Sequence, residues 1–341
     1  MSKKFALSIE TLYNKYAGGK TMIFVPIFKT KQNAERCAIA KIKPLLSESI
    51  IPLLQIIKKV DNQNFAVMAN SIENNKFFFE IFGKNTKDYT NLTIKIAKKY
   101  GDSIPLFELS KIDSLVDFNN FVLNRENGKS VSIKIKIGQI NLISMNEIKL
   151  LKPTDYLFVD IEDSDYSSLH DEFNQIKFFC KAKIIVITHE RKDNIAGKYY
   201  KNYSYNRAYF ISTVIESIKN NDFLEDGFAS YCTAKNNEEE TGGNGDPLTG
   251  VFLTYVYSEN AVYSVISPKK DVISRVYTQI RELLKKESPY NDAFNSLYSN
   301  TPISMQRLQI EYKKDKHSRA VDFIEVSIIH YIEEIVNNLF N

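Results

Sequence analysis

The feature that most restricts how this chain can fold is a rhythm. Short apolar runs begin near Met22, Ser49, Phe77, Ile104, Val131, Asp155, Lys183 and Phe228, and amphipathic stretches lie between them. Seven of these eight starts are spaced by about one strand-helix unit. The unit is clearest from Asp155 to Glu190. Asp155-Tyr-Leu-Phe-Val-Asp-Ile-Glu162 and Ala182-Lys-Ile-Ile-Val-Ile-Thr-His-Glu190 are apolar runs that end in acidic or imidazole side chains. Between them Leu169, Phe173, Ile176 and Phe179 form one helical stripe. This pattern predicts a buried parallel pair joined by a crossover helix. Eight such units in succession predict an α/β fold, a closed (β/α)8 TIM-like barrel. An open doubly wound sheet is the rival, but it fits eight units without a glycine-rich phosphate fingerprint less well.

The predicted strands are Met22 to Lys29, with Pro26 at an irregular position, then Ser49 to Ile57, Phe77 to Phe82, Ile104 to Leu109 and Val131 to Ile137. Helices are predicted over 33–46, 65–72, 87–99, 115–123 and 209–218, and a tyrosine-rich irregular stretch over 194–207. Residues 1–20 read as an N-terminal arm and 21–234 as the barrel. Residues 235–250 form a flexible Gly-rich loop by composition. In 251–341, two strands (251–257 and 261–266) make a hairpin, followed by a basic amphipathic helix over 269–286 and a terminal helix over 318–339. These form a β-hairpin and helical appendage packed on the barrel, because a lone hairpin is marginal.

Composition narrows the class. The formal net charge of +4 is mild and no continuous Lys/Arg block occurs, so nucleic-acid binding is not indicated. Cys37, Cys180 and Cys232 are too far apart for a zinc knuckle or a disulfide scaffold. The opening residues lack the apolar core of a signal peptide and no apolar run reaches membrane-spanning length, so a cytoplasmic protein is expected. A protein partner and a homo-oligomer both stay open.

Strand alternation places same-parity residues on one face. Lys134 and Lys136 share a face, as do Asp160 and Glu162, and Asp160 should be buried behind Leu157-Phe158-Val159 and paired with Lys136 or Lys134. In a closed barrel the strand-end groups converge on one mouth. The candidate catalytic acids and bases are Asp160, Glu162, Glu108 and His189 (or Glu190), and the candidate ligand-binding residues are Lys29, Lys136, Glu80 and Gln55. The alternative is an ordinary wet rim of structural ion pairs. Glu80, Glu108, Asp160 and Glu162 have the hard oxygens a divalent metal takes, but their spacing is not diagnostic and no metal or other cofactor is assigned. His330, on the terminal helix, reads as a core-edge or surface residue. The segment with Tyr199, Tyr200, Tyr203 and Tyr205 offers either rings for stacking or a contact for a partner protein.

Several of these segments resemble a known family. Phe24-Val-Pro-Ile-Phe-Lys-Thr-Lys31, Glu35 in the first helix and Ile51-Pro-Leu-Leu-Gln-Ile56 resemble the opening of the phage "beta protein" family and its bacterial relatives, the beta family proteins. That opening is a Val-Pro-x-Leu-Lys strand, a helix with an early glutamate and a Pro-Leu-x-Glu strand. Gln55 stands where the family has its glutamate. Asp226-Gly-Phe-Ala-Ser-Tyr231, the Gly-rich loop, Thr254-Tyr-Val-Tyr257 and Ile329-His-Tyr-Ile332 are similar to its later half. The resemblance covers most of the chain. It implies a place in phage–host conflict, since relatives occur in phages and in defence-associated bacterial loci, with a partner from such a locus. It carries no assigned reaction.

Overall fold

The computed structural model describes residues 21–30, 33–57, 62–82, 87–126, 128–139, 146–188, 205–208, 212–232, 251–266, 298–313 and 320–340. Eight parallel strands close into a barrel in the order β1 (Ile23–Lys29), β2 (Leu53–Ile57), β3 (Phe77–Phe82), β4 (Ser103–Glu108), β5 (Ser132–Lys136), β6 (Tyr156–Asp160), β7 (Lys183–Thr188) and β9 (Gly227–Ser230), which returns to β1. Around it lie α1 (Asn33–Lys41), α2 (Asn62–Ser71), α3 (Tyr89–Lys99), α4 (Leu115–Asn124), α5 (His170–Phe179) and α6 (Thr213–Lys219).

The strands are continuously apolar because both of their faces are buried. One set of alternating side chains, including Ile23, Val25, Ile27, Leu53, Phe78, Leu106, Phe158, Ile185 and Ala229, fills the barrel interior. Phe78 meets Tyr156 and Phe158 edge-on there, with ring centroids 4.9 and 5.0 Å away. The other set, including Phe24, Leu54, Phe79, Phe107, Leu157 and Phe228, packs outward against the helices. At the closing seam a Cβ on Gly227 would lie 2.2 Å from the Ile23 carbonyl oxygen, so β9 approaches β1 that closely only with glycine there. Acidic residues staple the amino ends of the strands: Asp155 accepts from Val131 N at 3.0 Å and pairs with Arg125, and Asp226 accepts from Ile184 N at 2.8 Å.

Pro26 is accommodated inside β1. It falls between the isolated Phe24–Ile50 bridge and the ladder that begins at Ile27–Leu53, where its missing N–H breaks no bond. The same gap explains why β2 starts at Leu53 rather than Ser49.

A second sheet, antiparallel, has the order β10 (Val251–Val256), β11 (Ala261–Ile266) and β8 (Tyr205–Ala208). The expected hairpin is present and turns through Asn260 in the left-handed conformation (φ 46°). The third strand corrects the reading of 194–207 as irregular throughout, since β8 pairs with β11. α6 likewise begins later than predicted, at Thr213, where the Ser212 hydroxyl accepts from Ile215 N at 3.2 Å.

The terminal helix α8 (Ala320–Leu339) packs on α1 and on β10, and α7 (Pro302–Lys313), not predicted, packs on α8. Glu333 of α8 caps the start of α7, accepting from Ile303 N at 2.7 Å and Ser304 N at 2.8 Å. Arg307 of α7 joins Asp322 and Glu325 of α8 at 3.1 and 3.0 Å. The N-terminal arm, the Gly-rich loop, the 269–286 helix and Tyr199, Tyr200 and Tyr203 lie outside the described residues. No helix among the described residues is long and apolar enough to cross a membrane.

His330 is not at the surface but fully buried. It stacks on Tyr298 at 4.1 Å, its Nε2 lies 2.9 Å from the Tyr255 carbonyl and its Nδ1 3.2 Å from the Thr301 hydroxyl. Nε2 therefore donates to the carbonyl, and the neutral ring suits the site. Burial lowers its pKa from 6.5 to about 4, against the raising effect of the Tyr255 bond. As pH falls below 6.5 the unfolded chain takes up the proton first. Stability should drop by about 3 kcal/mol between pH 7 and pH 4 on this account alone. Urea unfolding at both pH values should show that loss in the wild type and a correspondingly smaller one in His330→Gln.

Candidate functional site

The face of each strand that fills the lower barrel with apolar groups carries polar ones at its carboxyl end. Continuing the alternation upward from Ile27, Leu53, Phe78, Leu106, Ser132 and Phe158 gives Lys29, Gln55, Glu80, Glu108, Lys134 and Asp160. The ladder places Lys29 beside Gln55, Gln55 beside Glu80, and Glu108 beside Lys134. All six side chains belong to residues less than a tenth exposed. They pack against one another instead of lining an open bowl. A cleft of about 650 Å³ lies elsewhere, between α3 and α4, with Lys98, Phe121 and Arg125 in its wall.

Lys134 is the centre. Its Nζ pairs with Glu80 Oε1 and lies 3.1 Å from Glu108 Oε2. Lys111, in the helical turn after β4, holds the same Glu108 oxygen at 2.7 Å, and the Ser110 hydroxyl donates to Oε1 at 3.1 Å. On the other side Gln55 Nε2 donates to Glu80 Oε2 at 2.9 Å and to the Tyr231 hydroxyl at 3.1 Å. The Tyr231 ring carries the Lys29 ammonium 5.3 Å from its centroid, and the Phe82 ring faces both Lys134 and Lys111. A connected polar chain thus spans the mouth from Lys29 to Lys111.

The two glutamates differ in proton affinity. Burial raises the Glu80 carboxyl and Glu108 adds to this, while Lys134 opposes both. Both Glu80 oxygens accept hydrogen bonds, so it rests as a carboxylate with a high affinity for a proton. Burial also works against ionisation of Glu108, but Lys134 and Lys111 outweigh it and bring its pKa down to about 2. Lys134 is held firmly as a cation, because Glu80 and Glu108 overcome the cost of its burial. Glu35, at the start of α1, accepts from Lys29 N. Its burial lifts the carboxyl to about 7 even against the nearby Lys29 charge.

Asp160 is buried as expected, and Glu162 N donates to its Oδ1 at 2.9 Å. Glu162 itself does not share the inward face. Its backbone is left-handed (φ 52°), which breaks the strand alternation, and its half-exposed carboxylate pairs with Lys136 at 2.6 Å on the rim. Lys136 is therefore a rim cation, and Lys134 is engaged by the glutamates of β3 and β4. Among the described residues no three His, Cys, Asp or Glu side chains converge as a metal site, and Lys134 occupies the space between Glu80 and Glu108. His189 and Glu190 lie outside the described residues. Lys134, Lys111 and Tyr231 were not among the candidates from sequence. Parity with Lys136 placed Lys134 on the inward face as a possible partner of Asp160 but not in the site, and nothing local marks the other two.

Removing the central cation should leave two buried carboxylates facing each other. Lys134→Met should cost about 3–5 kcal/mol, and Glu80→Leu added to it should restore much of the loss. Chemical denaturation of the single and double variants measures both, and equal stability of Lys134→Met and wild type would refute the pairing.

Compared with protein-family models and with curated protein sequences, the chain matches none.

Proposed function

We propose that the barrel mouth binds a small anionic ligand and performs hydrolase-like acid–base chemistry on it, in the setting of phage–host conflict. One observation carries the first part. Charged and amide side chains pointing inward from six strands gather in the carboxyl-end layer, above a described interior that is apolar apart from the Ser132 hydroxyl. Stability alone favours apolar filling over buried ion pairs, and catalytic groups in barrels of this kind gather at the carboxyl ends. Lys29 and Lys136 supply positive charge for an anion. Glu80, a carboxylate with raised proton affinity, suits the removal of a proton from an attacking water, and Asp160 stands on β6, three strands further round the ring. Glu108 keeps Lys134 charged and in place. The phage–host setting rests on the family resemblance of the sequence.

Thermal-shift titration of a panel of small carboxylates and phosphate esters tests the ligand site. At least one anion should stabilise the wild type, with affinity reduced roughly 10-fold or more in Lys29→Met. Failure of the whole panel to shift the wild type would count against the site. Plaque counts across a phage panel test the setting, where equal plaquing with and without the gene would remove it and leave the ligand site standing. A non-enzymatic scaffold is the second reading, favoured by Leu115, Val116 and Leu123, which α4 leaves exposed to solvent. No anion binding, together with a phage phenotype lost in Val116→Glu, would favour that reading.

A further inference from the structure

We infer that the anion taken by the mouth also carries hydroxyl groups, and that Gln55 is the residue that reads them. This rests on the mouth being an anion site. Gln55 is 1% exposed, and its amide nitrogen serves Glu80 and Tyr231 together. Its amide oxygen is buried without a donor. Glu35, also 1% exposed, spends Oε2 on Lys29 N and leaves Oε1 equally without one.

These two acceptors flank a single residue, for Gln55 is the ladder partner of Lys29 and Glu35 binds its backbone. An unsatisfied buried acceptor is costly, and folded proteins rarely keep such groups without a use for them. The group that fits beside them must bring donors of its own while offering negative charge to Lys29. A hydroxylated anion does both, as in a polyol phosphate or a sugar acid. A glutamate at this position would set a second negative charge against Glu80. The amide instead keeps one neutral acceptor for a hydroxyl while still donating to that carboxylate.

Glycerol 3-phosphate and n-propyl phosphate test this, because they share charge and length and differ in two hydroxyls. Calorimetric titration of the whole chain should show glycerol 3-phosphate binding at least about 10-fold tighter. In Gln55→Met, whose folding is checked by circular dichroism and melting, the ratio should fall towards one. Equal affinities in the wild type would overturn the inference without touching the anion site, as would a ratio that survives in Gln55→Met. If neither ester nor inorganic phosphate binds, the anion-site reading fails and this inference falls with it.

Discussion

Everything at the carboxyl end of the barrel depends on one buried ammonium. Lys134 lies between Glu80 and Glu108, and the groups from Lys111 round to Tyr231 are placed by reference to that trio. Lys111 and Ser110 complete the coordination of Glu108, and Gln55 completes that of Glu80 and passes the contact on to Tyr231. Taking an ammonium and two carboxylates out of water is expensive, and only near-complete pairing makes it tolerable. The arrangement is therefore stiff. It fixes which carboxylate has spare proton affinity (Glu80) and which has none (Glu108). Two groups of one chemical kind thus acquire different roles from their neighbours alone.

The apolar half beneath is what makes this precision possible. Phe78, Tyr156 and Phe158 lock edge-to-face across the interior, and Gly227 lets the last strand close on the first. A floor of interlocked rings leaves the polar layer no room to sink, so its charges are satisfied laterally, strand to strand. The helices add little to the mouth directly. α1 is the exception, because Glu35 in its first turn reaches the Lys29 backbone.

Much of this was legible in the sequence, and the failures have definite causes. Eight apolar runs, seven of them at even starts, indicate a parallel sheet buried on both faces, and the lack of a glycine-rich phosphate fingerprint favours the closed ring over an open sheet. Position at the strand ends of that ring brought Lys29, Gln55, Glu80, Glu108 and Asp160 to one mouth, and period-two alternation put Lys134 with Lys136 and Asp160 with Glu162. It failed at Glu162, where a left-handed backbone conformation that alternation cannot foresee sends the side chain to the rim. It could not choose partners either. Lys134 pairs across the mouth with Glu80 of β3, a contact set by the curvature of the ring and not by proximity along the chain. β8 was missed because the strand that stabilises it, β11, lies some fifty residues later. α7 was missed because its start is capped by a glutamate on another helix.

The position of α8 has a consequence for how the molecule is made. It packs on α1, and Tyr331 accepts a hydrogen bond from Ser230 at 3.1 Å, one residue before the Tyr231 that stands in the mouth. The earliest helix of the ring is thus sheltered by the latest one. A chain emerging in order, amino end first, exposes the apolar flank of α1 until residues 320–339 are available. Contacts of such long sequence separation are slow to form. Maturation of this protein should accordingly be a late, concerted event, with the partly synthesised chain a natural client for chaperones.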